Sequence, residues 1–266
     1  MGEMIRVLVT GSGGQLGKCL QMASPGYPEM QITFLDKSGL DITDRESVAS
    51  ILKTGQYDFC INTAAYNDVE EAEKHPSRAN AVNAAGLENL AGECREHNTC
   101  LIHISTDYVF DGSKSSPYEP TDAPNPINAY GKSKLLGEDH IRKTLTRYFI
   151  IRTSWLYSEI GNNFYTKILQ KARNTDRITV TGSQTGTPTN AHDLAAYILA
   201  LIASGTEGYG TLHFAGREVM TWFDFACKIL RDHKLDKRVT VVRDDKNRSF
   251  AARPVYSALK TTARPE

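Results

Sequence analysis

The segment Val7-Leu8-Val9-Thr10-Gly11-Ser12-Gly13-Gly14-Gln15-Leu16-Gly17 constrains this chain more than any other. An apolar, β-branched run ends on glycines three residues apart, and a helix-like stretch follows at once. Gly11 permits a tight turn, Gly14 lets backbone approach a pyrophosphate at a helix N-terminus, and Gly17 lets that helix pack closely on the strand. A glycine pattern alone is equally a structural bend. Two further features favour a dinucleotide: the turn opens the first strand–helix–strand unit, and Asp36 follows Gly17 by nineteen residues at the end of the second apolar run. A carboxylate there can accept from an adenosine ribose 2′-hydroxyl, which favours NAD, while the adjacent Lys37 can pair with a 2′-phosphate and admit NADP. Both stay open. Asp41-Ile42 could flank the adenine, although Asp41 before Thr43 and Asp44 reads equally as a helix-capping stretch.

Strand-like and helix-like segments alternate through the first two thirds of the chain. The strand-like runs are Ile5 to Thr10, Gln31 to Leu35, Tyr57 to Asn62, Cys100 to Ser105 and Tyr148 to Thr153; the helical segments include Ser47 to Lys53, Ser77 to His97 and Ala129 to Leu145. Parallel neighbours need long crossovers, so the alternation implies an α/β fold with a Rossmann-like, doubly wound parallel sheet. After Trp155 the pattern loosens: helices near Asn163 to Arg173, Ala191 to Ala203 and Trp222 to Asp232, and strands near Ile178 to Thr181, Leu212 to Phe214 and Val239 to Val242. The expected division is a dinucleotide-binding domain over 1–155 and a smaller substrate-binding lobe over 156–266, with elements within about 176–205 returning to the main sheet. The irregular stretch Asp111 to Asn128, rich in Pro, Ser and Asp, is expected to be a functional loop.

Composition excludes several classes. The 31 basic and 31 acidic side chains cancel, leaving no long-range field for phosphate backbones or anionic lipid, so no nucleic-acid or membrane partner is expected. The longest apolar stretch, Leu194 to Ala203, is half of the roughly 20 residues that span a bilayer, and Met1 to Thr10 lacks the pattern of an export signal. Five cysteines (Cys19, Cys60, Cys94, Cys100, Cys227) have no metal-ligand spacing, and reduced, buried thiols in a cytoplasmic protein are expected. The seven histidines form no metal-ligand pair, so no metal site is expected, and His103 reads as a satisfied core residue.

Tyr130 and Lys134 stand four apart in Ala129-Tyr130-Gly131-Lys132-Ser133-Lys134 and so share one helix face. Tyr256 and Lys260 have the same spacing but follow Arg253-Pro254 late in the chain, and a surface role is expected for them. Tyr130 instead opens a helix after the fourth strand, whose end carries Ser105-Thr106-Asp107. Open α/β sheets bind ligands at the carboxyl ends of their strands.

Together with Gly11 to Gly17, the strings Ser105-Thr106-Asp107-Tyr108-Val109-Phe110-Asp111-Gly112, Tyr130 to Glu138 and Arg152-Thr153-Ser154-Trp155-Leu156-Tyr157 resemble the extended short-chain dehydrogenase/reductases. Within that superfamily they are most similar to the dTDP-4-dehydrorhamnose reductase family. The resemblance runs from Ile5 to about Lys260 and includes Gly161-Asn162-Asn163-Phe164, Gln184 to Thr189 and Arg253-Pro254. It implies that NADPH or NADH reduces the C4 ketone of a dTDP-linked 4-keto-6-deoxysugar, the last step of dTDP-rhamnose synthesis. Tyr130 would protonate the developing alkoxide. A phenol of pKa near 10 needs a nearby cation for that work, which Lys134 would supply while holding the nicotinamide ribose. Thr106 would donate to the substrate oxygen. Gln15, Leu16, Ala64, Ala65, Tyr66 and Asn83 are expected along the cofactor.

Related sugar-nucleotide dehydratases carry Glu where this chain has Tyr108; elimination needs that carboxyl group, so reduction is favoured. Asp107 reads as a substrate or loop anchor, or as a strand-end cap. Trp155 offers a face to a 6-deoxy sugar or is a core tryptophan. Asn163, Gln184 and Arg253 map onto motifs lining the nucleotide-sugar cleft, and the Arg253 guanidinium suits a diphosphate. Three departures stand out: Asn67 for a usual threonine, Ser183 for a usual aspartate, and an end at Glu266 where relatives continue through a final helix, as though the chain were one helix short. Lys18-Cys19 stands where a metal-linked dimer would need an acid, leaving monomer or homodimer open. Two alternatives are carried: a reductase of another nucleotide-linked 4-ketosugar, and a non-catalytic dinucleotide-binding subunit like the methionine adenosyltransferase β subunit.

Overall fold

The computed structural model describes residues 4–246 and 249–262; the expectation about the carboxyl end falls outside them. In chain order, the first half runs β1 (Ile5–Thr10), α1 (Gln15–Ala23), β2 (Met30–Leu35), α2 (Arg45–Gly55), β3 (Phe59–Asn62), α3 (Val69–Lys74), α4 (Pro76–Asn80), α5 (Gly86–Glu96), β4 (Cys100–Thr106), α6 (Ala129–Thr144) and β5 (Tyr148–Thr153). The second half runs β6 (Leu156–Tyr157), α7 (Phe164–Asn174), β7 (Arg177–Val180), β8 (Thr185–Gly186), β9 (Thr189–Asn190), α8 (Ala191–Ala203), β10 (Gly210–His213), β11 (Met220–Thr221), α9 (Trp222–Asp232) and β12 (Thr240–Arg243).

Six strands form one sheet in the order β10-β5-β4-β3-β1-β2, parallel throughout. Side chains alternate between the two faces of a strand, and here both faces are apolar. Val7, Val9, Ile61, Ile102 and Ile151 pack with α1 and α8, while Leu8, Cys60, Leu101 and Ile150 pack with α2, α5 and α6. Such strands read as continuous apolar runs, which is why the sequence reveals them. Strand order reverses on passing from β2 across β1 to β3, so the loops after β1 and β3 diverge and open a crevice at the sheet's carboxyl edge.

Two features differ from expectation and two extend it. Ser77 to His97 is not one helix: a π-helical turn at Ala81–Ala85 separates α4 from α5, and Asn83 sits on it. The 111–128 stretch, expected as a loop, acts as a clasp. Its Tyr118 stacks on Phe110 with ring centroids 4.1 Å apart, and its backbone pairs with Ala258 and Lys260, fixing the late segment that carries Arg253. Of the elements within 176–205, α8 returns to the main core, whereas β7 pairs with β12 outside the sheet; the later β10 supplies the sixth strand. Finally, α7, α9, β7 and β12 enclose a core of their own around Ile168, Ile178, Phe225 and Ile229.

Candidate active site

The crevice begins at the glycine turn. Gly11 has φ +66°, and a Cβ there would lie 2.5 Å from the Ala64 backbone nitrogen; a Cβ on Gly17 would lie 2.5 Å from Ser12 Cα. Only glycine allows the turn to pass β3 and α1 to pack against it. No side chain caps α1 at Gly14, so its first amides are left for an anion. Beside them the Gln15 side-chain nitrogen is buried without a partner. An uncapped helix start and an orphaned amide next to it fit the pyrophosphate of a dinucleotide.

A cleft of about 480 Å³ continues from the turn between Asp36, Lys37, Asp41, Ile42, Ala64, Ala65 and Tyr66. Asp36 Oδ1 accepts from Ser38 Oγ (2.6 Å), Ser38 N (2.9 Å) and Gly39 N (3.1 Å), and these bonds hold its carboxyl below the usual range. Its Oδ2 accepts from none of the described residues, so an ionised acceptor faces the adenosine end. Lys37 lies 3.6 Å from Asp41 on the exposed rim. Asn83, expected along the cofactor, is fully buried and grips the Tyr66 backbone from both sides (2.8 and 3.0 Å) and Ser133 Oγ (3.0 Å). It shapes the cleft wall through Tyr66 and does not line it.

Gly14, Thr63, Ala65 and Asn67 also line a second cleft of about 350 Å³, where Thr106, Asp107, Tyr130, Lys134 and Trp155 converge. Asn128 caps α6 by accepting from Gly131 N at 2.7 Å, which starts the helix one residue before Tyr130. A Cβ on Gly131 would lie 2.1 Å from the Tyr108 carbonyl oxygen, so glycine lets Tyr130 approach the end of β4. Tyr130 Oη donates to Asn67 Oδ1 at 3.4 Å, and burial pushes its phenol well up. Thr106 Oγ1 accepts from Tyr108 N and donates to Asp107 Oδ1, each at 3.1 Å. Its proton therefore points at Asp107 rather than freely into the cleft.

Asp107 is buried among hydroxyls. Its Oδ2 accepts from Ser257 Oγ (2.5 Å) and Ser154 Oγ (3.3 Å), and burial raises its pKa to about 6 against the lowering effect of those donors. It anchors the late segment beneath the cleft. Lys134 lines the same cleft as Tyr130 without a hydrogen bond to it. Nζ donates to the Ile104 carbonyl at 2.7 Å and lies 3.0 Å from His103 Nε2, and burial lowers its pKa to about 7. The Nζ expected beside the phenol is thus turned toward β4.

A third cleft of about 420 Å³ opens beyond Trp155, lined by Phe164, Lys167, Lys171, Gln184, Trp222, Arg253 and neighbours. Trp155 adopts φ +48° and stacks on Trp222 with centroids 3.5 Å apart; a Cβ on Gly186 would lie 2.5 Å from its ring. Trp155 is therefore partly exposed at a cleft edge and outside the core. Gln184 Oε1 accepts from Trp222 Nε1 at 3.1 Å. Arg253 pairs with Glu70 at 2.9 Å, while its Nε is buried without a partner. Tyr108 packs behind it, its phenol pushed up to about 12 by burial.

Asn163, expected against the substrate, lines the second cleft beside Asn162. Its side chain caps α7 by accepting from Thr166 N and donates to the Ser158 and Ile160 carbonyls and, at 3.4 Å, to Gln15 Oε1, so it ties this loop to the start of α1. Tyr256 is partly buried and Lys260 pairs with Glu119 at the surface. Sequence reasoning missed Trp222, Lys167 and Lys171. The two lysines were findable, because their four-residue spacing after the Gly161-to-Phe164 string puts them on one face of a helix.

The family described as RmlD substrate binding domain matches residues 5–265. The chain is 38% identical to the dTDP-4-dehydrorhamnose reductase of Aggregatibacter actinomycetemcomitans, over 97% of this chain and 92% of that one. It is 36% identical to the spore coat polysaccharide biosynthesis protein SpsK of Bacillus subtilis, over 98% and 90%. Among solved structures, the dTDP-4-dehydrorhamnose reductase of Bacillus anthracis in complex with NADP superposes with a TM-score of 0.92 at 38% identity, covering 98% of this chain and 92% of the other.

Proposed function

The chain belongs to the RmlD substrate-binding-domain family, and from that premise we propose that it reduces the C4 ketone of dTDP-4-dehydro-L-rhamnose to dTDP-L-rhamnose. It is an NAD(P)H-dependent oxidoreductase of dTDP-rhamnose synthesis. When bound, NADPH or NADH supplies the hydride that the carbonyl carbon accepts. The glycine-turn amides and Gln15 hold the pyrophosphate, and Asp36 or Lys37 meets the adenosine ribose. The observation that carries the reading is the convergence of Thr106, Tyr130 and Lys134 on a cleft that joins the glycine turn to Trp155.

The residues divide the work by position. Tyr130 holds the proton that the developing alkoxide takes, and a buried, protonated phenol at neutral pH is in the correct state to give it. Thr106 orients the carbonyl oxygen once its hydroxyl turns from Asp107. The Trp155–Trp222 stack gives the sugar an apolar wall, and Lys167, Lys171 and the orphaned Arg253 Nε give the diphosphate a cationic one. Residues 1–155 with α8 and β10 form the cofactor half, and the core around α7 and α9 supports the substrate half.

No helix among the described residues is long and apolar enough to cross a membrane. A cytoplasmic setting is supported by five free cysteines, four of them buried. The test is NAD(P)H oxidation by purified protein with dTDP-4-dehydro-L-rhamnose beside UDP- and GDP-linked 4-ketosugars. Oxidation that depends on the dTDP substrate is expected; preference for another nucleotide, or none with any ketosugar, would overturn the reading.

A further inference from the structure

Behind Lys134 lies a buried chain of polar groups that the proposed reaction does not use. Thr10 Oγ1 donates to Asn62 Oδ1 at 2.6 Å, Asn62 Nδ2 lies 3.0 Å from His103 Nδ1, and His103 Nε2 lies 3.0 Å from Lys134 Nζ. Thr10, Asn62 and His103 are fully buried and Lys134 nearly so. The sequence reads His103 as a core histidine; the structure gives both its ring nitrogens a partner.

Donor and acceptor roles along this chain are fixed from one end. The Ala64 backbone N–H donates to Asn62 Oδ1 at 3.3 Å, and the Ala64 carbonyl accepts from Asn62 Nδ2 at 3.4 Å. Flipping the amide would set N–H against N–H and oxygen against oxygen. Asn62 therefore presents Nδ2–H to His103 Nδ1, which must accept, and the neutral ring carries its proton on Nε2. An ammonium at Nζ would then meet Nε2–H donor to donor. A neutral amine instead accepts from Nε2–H and still donates to the Ile104 carbonyl.

We propose that His103 is a positioning residue for Lys134: with its tautomer set by Asn62, it holds Nζ as a neutral amine until the cofactor binds. This rests on the reading of Lys134 as a cofactor contact. Cofactor arrival draws Nζ away from Nε2–H, and Nζ takes one proton from solvent to become the ammonium that faces the ribose and Tyr130. The other charged groups near Nζ agree with this. Glu138, one turn along α6, is engaged by Arg152 of β5 and Arg142 of α6, and Asp107 is bonded to Thr106, Ser154 and Ser257. Burial, against the opposing charge of Glu138, lowers the Lys134 pKa to about 7, and the bond from His103 acts in the same direction.

Two measurements decide it, and neither needs turnover. The ¹H–¹⁵N imidazole spectrum of the cofactor-free wild type, with His103 assigned by its loss in His103→Gln, should show the Nε2–H tautomer at pH 7.5. An Nδ1–H tautomer or an imidazolium overturns the proposal. Calorimetric titration with NADPH at pH 8, in two buffers of different ionisation enthalpy, should show uptake approaching one proton per site; zero uptake overturns it. Asn62→Asp reverses the tautomer and should abolish the uptake. If that variant does not fold, the two wild-type results still decide. Because the imidazole spectrum requires neither substrate nor cofactor, its failure is distinguishable from a failure of the reductase reading.

Discussion

At the scale of single residues, Asp107 shows how burial sets a titration without a partner charge. It is surrounded by the hydroxyls of Thr106, Ser154 and Ser257 and holds its proton up to about pH 6. An unfolded aspartate loses it near ~3.9. Between those values the native state binds more protons than the unfolded one, so the stability this group contributes is full below about pH 4 and lost as pH rises through about 6. Two pKa units correspond to about 2.7 kcal/mol. Urea unfolding of wild type and Asp107→Asn from pH 4 to 7 should therefore give curves that converge at one end and separate by roughly that amount at the other. Parallel curves would show that the carboxyl titrates as it does in water. The sequence announces Asp107 as an anchor but hides what it anchors, because Ser257 lies 150 residues away.

At the scale of elements, one buried ionic cluster ties α6 to β4 and β5. Glu138 accepts from Arg152 through both oxygens, at 3.0 and 2.7 Å, and also from Ser105 and Arg142; Glu138 and Arg152 are almost wholly buried. Since α6 carries Tyr130 and Lys134 while β4 ends in Thr106, this cluster sets the distance between the groups proposed to react. Removing one partner strands the other, so Glu138→Ala should cost about 3–5 kcal/mol in urea unfolding. A loss below about 1 kcal/mol would mean that the pairing contributes little. Elements whose apolar pattern is unbroken were legible in the sequence: β1 and β5, and the helices α8 and α9, start and stop where the residues indicate. The π turn was not, because Ala81-Val82-Asn83-Ala84-Ala85 has ordinary helix composition and bulges to let Asn83 reach Tyr66. The partner of the 111–128 loop was hidden for a similar reason: its composition marks a loop, while its contacts lie with residues 250–262.

At the scale of the molecule, two separate cores underlie the two proposed ligand sites. The sheet and its flanking helices position the glycine turn, and the separate cluster of α7, α9, β7 and β12 carries Trp222, Lys167 and Lys171. Phe225 is central to the second cluster, and its truncation should cost about 3–5 kcal/mol locally. Phe225→Ala should therefore raise the KM for the dTDP-sugar several-fold while leaving the NADPH dissociation constant near that of wild type. Equal weakening of both would show that the cores do not act separately. The parallel α/β class could be read from the chain because each strand and each glycine-turn or Tyr-Lys motif is a short continuous string of residues. The Trp155–Trp222 stack, the Arg253–Glu70 pair and the return of β10 could not, since each joins residues that only the folded chain brings together.

The central claim is that Tyr130 gives the proton in a ketone reduction at this cleft. It is tested most directly by comparing wild type with Tyr130→Phe, measuring NADPH oxidation with dTDP-4-dehydro-L-rhamnose and NADPH binding on the same samples. Turnover should fall by about 10²–10⁴-fold or more with the dissociation constant for NADPH little changed; turnover close to that of wild type would contradict the account.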